Sequence, residues 1–433
     1  MIVKDALRSL KDSGSKAVFY WLTFYLTSAL MFLFFNMAES ATHGETEFYL
    51  TDNLADLTKY LTQGNMGNLM MVFVVIMCSI DLVYANDFYV KNKTKELAVR
   101  MISGATFTQL AAYLLIQTLL LLLIAIPLGI LSGLILIPVF NRILASAGSE
   151  LFIEIQSYGL LQYFSVTGFI VCLTTVLNMS FAYKSTAILM LNGNIESMNS
   201  SGKTFVTEKT KAFDLIVSIL ALGLYILPVF LYYRGTSGMA LYTLMGCFAL
   251  ERVLTGLFMP ALTKLIRRRK LKDPADALAY GFLRKDIQVT RSTVYLFLVD
   301  TTVLVSMMFT RNNTPIERML VMTSYVVISI LQAMTMMFRL ETELYSRNRD
   351  YRIMDQVGVS GEKRKKVCRK EILLYYGFVL AVTLIYMGNI AGALIISKSL
   401  SAGYAAVLIA IAAVPLIIAG ILAEIYYRSV LNG

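Results

Sequence analysis

The chain has 433 residues, of which 57% are hydrophobic and only 15% charged, and its mean hydropathy is +0.65. Water is therefore not the main solvent of its surface, which excludes an assembly of ordinary soluble domains. The net charge is +11, and with one histidine (His43) and four cysteines without paired spacing (Cys78, Cys172, Cys247, Cys368) a Cys/His zinc or iron–sulfur centre is excluded.

Crossing roughly 30 Å of hydrocarbon as helix takes about 20 apolar residues. Apolar runs of that kind predict about ten spans, near 17–37, 67–88, 108–140, 158–182, 213–233, 239–261, 293–310, 318–340, 372–397 and 403–427. The fold class is thus all-α, a polytopic membrane protein. The first run ends without a small-residue cleavage site and reads as a span rather than a leader. The third is too long for one straight crossing, so either Pro127 and Gly129 kink it or its ends project from the bilayer.

Lysine and arginine set the orientation. With the N-terminus inside, the outer loops hold only Lys59, Arg142, Arg234, Arg311, Arg318 and Lys398 of the 39 basic residues, and Arg252 lies within a span. Both termini are then cytoplasmic. The positive charge faces anionic lipid, and no aromatic-basic module accompanies it, so nucleic acid is not an expected partner.

Two inward-facing stretches resemble each other at an offset of 254 residues, the distance from Gly104 to Gly358. Lys93 meets Arg347, Lys95 meets Arg349, Glu96 meets Asp350, and Val99 meets Ile353. Thr106 meets Ser360, and Gln117 meets Glu371. The order basic, acidic, apolar, glycine, hydroxyl recurs at the same place relative to a span. This predicts two four-span halves, 1–190 and 276–433, joined by a connecting pair and a basic loop over 191–275. In each unit Leu97, Val99 and Met101, or Tyr351, Ile353 and Met354, give a short helix an apolar surface. The glycine suits a left-handed stop, and Thr106-Phe-Thr-Gln109 fits a capping box for the next helix.

The stretch Asn86-Asp-Phe-Tyr-Val-Lys-Asn-Lys-Thr-Lys-Glu-Leu-Ala-Val-Arg-Met-Ile-Ser-Gly-Ala resembles the hallmark of FtsX-like ABC-transporter permeases. Arg349-Asp-Tyr-Arg-Ile-Met-Asp-Gln-Val-Gly-Val-Ser is similar to the C-terminal half of bacitracin-export-type (BceB-like) permeases of Gram-positive bacteria, and the 4 + 2 + 4 arrangement matches that subgroup. The resemblance implies two FtsX-like four-helix halves in a bacterial plasma membrane. It also implies a separate ATPase partner, a dimer that binds ATP and Mg, with no cofactor in this chain. The short helices would be coupling helices that dock on the ATPase, a role that falls on Lys95, Glu96, Arg100 and Gly104 and on Asp350, Arg352 and Gly358.

One departure from the pattern matters. BceB-like permeases carry a large extracellular domain between the seventh and eighth spans, where this chain has only the connection 310–317. MacB-like relatives carry one between the first two spans, where this chain has a short acidic loop over 39–66. The expected cargo is therefore an amphipathic peptide, antimicrobial or signalling, handled by the spans themselves. A transmembrane signal transmitter controlling an outer partner is the second reading.

Ser201-Gly-Lys-Thr204 lacks the glycine that a phosphate-binding loop needs at position 197, which holds Ser197. Charges inside spans are costly and mark candidate sites: Asp81, Glu251, Arg252 and Asp300. Hydrogen bonding between helices is the leading reading for them; substrate contact, or ion coupling through Asp81 and Asp300, is the other. Gly129-Ile-Leu-Ser-Gly133 and Gly388-Asn-Ile-Ala-Gly392 are small-residue motifs for close helix packing.

Overall fold

The computed structural model describes residues 14–41, 66–146, 152–184, 208–233, 274–308, 315–346, 361–396 and 400–432, with isolated residues at 246, 249–250, 252–253, 264 and 356. Among them the ordered elements are helices, and no strand occurs. They are α1 Gly14–Ala41, α2 Met66–Ile102, α3 Phe107–Ser146, α4 Ser157–Lys184, α5 Glu208–Tyr232, α6 Pro274–Met308, α7 Pro315–Ser346, α8 Gly361–Ile396 and α9 Ala402–Asn432. Eight of them, all but α5, are long and apolar enough to cross a membrane. The protein is a multi-pass helical membrane protein. The apolar stretch of α5 is shorter, Ile216–Leu227, and the span expected at 239–261 falls almost wholly outside the described residues.

The chain divides into two compact units, Met1–Asn199 with Arg311–Leu331, and Ser200–Thr310 with Gln332–Gly433. In the first, α1 is the central helix and packs against α2, α3 and α4. The α1–α3 contact depends on missing side chains. A Cβ at Gly129 would overlap Ser28, and one at Gly133 would overlap the Phe32 ring, so the two backbones approach as closely as the glycines permit. At the second motif, among the described residues, a Cβ at Gly388 meets nothing and one at Gly392 touches the Tyr233 hydroxyl. Close packing of described helices through a glycine pair is thus seen at 129/133.

Helix α3 is continuous over 40 residues with Pro127 and Pro138 inside it. At 1.5 Å per residue it is about 60 Å long, about twice the hydrocarbon thickness. Where α3 gives way to α4 the backbone is non-helical, and side chains satisfy it. Asn141 donates to the Ile153 carbonyl (3.0 Å) and accepts the Ile153 amide (2.8 Å), while Ser40 accepts the Glu154 amide (3.1 Å). Buried amides left unsatisfied would be costly.

In the second unit α8 packs against α5, α6 and α9. Tyr225 of α5 stacks on Tyr386 of α8 at 5.3 Å, and Gly420 of α9 receives the Tyr376 ring. Helix α6 starts well before the span expected at 293–310, because Asp286 and Thr290, which look like loop residues, are fully buried on one of its faces.

The repeat extends into the burial register. α3 starts at Phe107 and α8 at Gly361, the same 254-residue offset. Buried Tyr113, Gln117, Leu121, Ala125, Gly129 and Gly133 of α3 correspond to buried Val367, Glu371, Tyr375, Val379, Thr383 and Met387 of α8.

Candidate functional site

The short helix expected around 93–104 is not a separate element. It is the last third of α2, which runs unbroken past the apolar window ending at Lys91. Lys91–Asp87 and Lys93–Glu96 pairs at helical spacing support that extension. Gly104 then stops it with φ +92°. The amide of Gly104 bonds the Met101 carbonyl (3.1 Å) and that of Ala105 the Arg100 carbonyl (3.0 Å), the two bonds of a Schellman closure. Thr106 and Gln109 exchange backbone-to-side-chain bonds of 3.1 and 3.4 Å, which completes the capping box of α3. A rigid two-helix corner results.

The apolar side chains at this corner divide. Leu97 and Ala98 are fully buried, whereas Val99 and Ile102 are 59% and 63% exposed and Phe107 is 46% exposed. Phe107 leans toward Tyr183 at the end of α4, with ring centroids 6.4 Å apart.

Glu96 collects the polar groups of the corner. Lys93 Nζ lies 3.0 Å from its Oε2, and an Arg100 guanidinium nitrogen lies 3.4 Å from its Oε1. Tyr113 donates its hydroxyl to Oε1 at 2.5 Å, and Arg100 sits 4.0 Å over the Tyr113 ring. The carboxylate thus takes three donors, two of them cationic. From there a buried chain continues into the bundle. Gln117 Nε2 donates to the Tyr113 hydroxyl (2.9 Å), and the Tyr89 hydroxyl donates to Gln117 Oε1 (3.1 Å). Tyr89 stacks on Tyr20 at 4.6 Å. Tyr20 donates to Asn86 Oδ1 (2.6 Å), Asn86 to Asn178 Oδ1 (3.0 Å), and Asn178 to Thr118 Oγ1 (3.1 Å). Helices α1, α2, α3 and α4 all contribute to this network.

Of the residues singled out from the sequence, Glu96, Arg100 and Gly104 come together at the corner. Lys95 lies in the same helix, with its side chain outside the described residues. Asp350, Arg352, Gly358, Glu251 and the Ser201–Thr204 motif lie outside them too. Asp81 is fully buried in α2, Arg252 is exposed, and buried Asp300 accepts a 2.7 Å bond from Gln332 Nε2. Tyr113, Tyr89, Asn86, Asn178 and Tyr20 have no counterpart among the sequence-based candidates. Among the described residues no group of His, Cys, Asp or Glu could hold a metal ion.

Long apolar helices with buried polar seams, ending in a capped corner outside the apolar window, define a multi-pass helical membrane protein. A family model described as FtsX-like permease C-terminal matches residues 68–188. That segment takes in α2, α3, α4 and the corner, so over it the chain is similar to FtsX-like permeases. A comparison with the curated proteins finds no match.

Proposed function

We propose that this chain is the permease subunit of an ABC transporter that uses ATP hydrolysis by a separate ATPase dimer to export an amphipathic peptide or extract it from the bilayer. The observation that carries this reading is the overlap of the FtsX-like match, 68–188, with a capped corner that presents exposed Val99 and Ile102 between two apolar windows. Exposed apolar side chains on a rigid support beyond the apolar window suit burial by a protein partner. In this reading both termini and the α2–α3 corner are cytoplasmic, which the basic-residue asymmetry supports. The ATPase docks around Lys95, Glu96, Arg100 and Gly104, and its second copy around Asp350, Arg352 and Gly358. The two repeats are the four-span halves 1–190 and 276–433. ATP and Mg belong to the partner.

The test is a photo-crosslinking amino acid placed at Val99 or Ile102 in the protein in its native membrane. Capture of an ATP-binding protein, with ATPase activity that depends on both chains, supports the reading. A chain that yields no such adduct at either position, and purifies without ATPase activity, overturns it.

A further inference from the structure

The hydrogen-bond chain behind Glu96 has a direction. Tyr89 donates to Gln117, Gln117 donates to Tyr113, and Tyr113 donates to Glu96, so each hydroxyl or amide is committed in one sense and the carboxylate is the terminal acceptor. Tyr113, Gln117 and Tyr89 are each at most 2% exposed, so water offers them no alternative partners. Breaking one link in such a setting leaves a buried polar group unmatched, which costs more than the net value of the bond. The chain joins α2 to α3 twice, at Glu96–Tyr113 and Tyr89–Gln117, and the Tyr20–Tyr89 stack passes it to the Asn86–Asn178 bridge between α2 and α4.

We propose that Tyr113 and Gln117 are positioning residues: they lock Glu96 and the exposed end of α2 to α3, so that displacement of the corner is carried to the Asn86–Asn178 bridge inside the bundle. This deepens the transport reading and rests on it for the source of the displacement. The mechanical claim itself concerns this chain alone. Arg100 belongs to the device only at its outer end, because it touches Glu96 and the Tyr113 face but nothing deeper.

The test is amide hydrogen exchange on the full chain in lipid nanodiscs, comparing wild type with Tyr113→Phe. That variant keeps the ring beneath Arg100 and removes only the hydroxyl. Exchange is expected to rise tenfold or more over residues 94–102, and at least threefold over 174–182 around Asn178, which is remote in sequence. A second variant separates transmission from simple destabilisation. Replacing Tyr89 with Phe, Tyr113 with Phe and Gln117 with Leu together removes both ends of the Tyr89–Gln117 and Gln117–Tyr113 bonds at once, and is expected to fold with near wild-type thermal stability. Faster exchange at both places in this stable triple variant supports the lock. An increase confined to 94–102 in both variants, with 174–182 unchanged, overturns it. Because no ATPase is present, that outcome leaves the transport reading untouched, whereas the absence of an adduct at both Val99 and Ile102, with no co-purifying ATPase activity, overturns that reading without bearing on the lock.

Discussion

Tyr113 and Glu96 face each other across the corner that Gly104 closes, the phenol hydroxyl 2.5 Å from the carboxylate, and this bond ties the end of α2 to the beginning of α3. Lys93 and Arg100 both pair with Glu96, and Lys93 is 4% exposed. Replacing Glu96 with Gln keeps an oxygen for Tyr113 but removes the charge. Replacing it with Lys places a third cation among the first two. The expected cost is about 1 kcal/mol for Gln and about 3 kcal/mol or more for Lys. Thermal unfolding in nanodiscs reads the order, and transport coupled to the ATPase is expected to fall in the same order.

Gly104 supports a different kind of prediction, because a Cβ added there meets nothing within 4 Å. Any penalty is conformational, from φ +92°, and not steric crowding. Gly104→Ala is therefore expected to cost about 1–2 kcal/mol and Gly104→Asn less, since asparagine tolerates the left-handed region. Exchange at the amides of Ser103, Gly104 and Ala105, which bond back into α2, is the measurement.

The corner was legible in the sequence because its determinants are local. A left-handed stop needs glycine and a capping box needs a hydroxyl and an amide three residues apart, whatever the rest of the chain does. The continuity of α2 was not legible. Asp87, Lys91 and Lys93 look like the end of a span, yet their i,i+3 and i,i+4 pairing keeps the helix going beyond the apolar window. The mutual partners Tyr113, Gln117 and Asn178 find inside the bundle were hidden for another reason. A lone polar residue in an apolar run shows no partner until the rotational phase of four helices is known. The same blindness placed the start of the seventh span at 293, since Asp286 and Thr290 read as loop residues until α6 buries them against its neighbours.

The two glycine motifs, alike in sequence, should respond oppositely to bulk. Leucine at Gly129 or Gly133 drives a side chain into Ser28 or Phe32 of the central helix, and overpacking of that kind costs about 1–3 kcal/mol or more. Leucine at Gly388 meets none of the described residues, and its effect is expected to stay within about 0.5 kcal/mol. The yield of monodisperse protein and its unfolding temperature, compared across the three variants, check this. Equal loss at all three would show that Gly388 also packs closely.

Asp300 separates a structural role from ion coupling. Its Oδ2 accepts a 2.7 Å bond from Gln332 Nε2, and both residues are at most 1% exposed. An amide oxygen can accept the same bond, so Asp300→Asn preserves it, while Asp300→Leu strands the Gln332 amine inside the bundle at a cost of about 1–3 kcal/mol. If Asp300 serves to join α6 and α7, transport is expected to be near wild type in Asn and depressed in Leu, with stability following the same pattern. If a proton or cation must bind the carboxylate, Asn and Leu lose transport alike although Asn stays folded. Reconstituted transport at two pH values, alongside unfolding of each variant, therefore distinguishes a hydrogen bond that holds helices from a charge that moves cargo, and the geometry of the Gln332 contact favours the first.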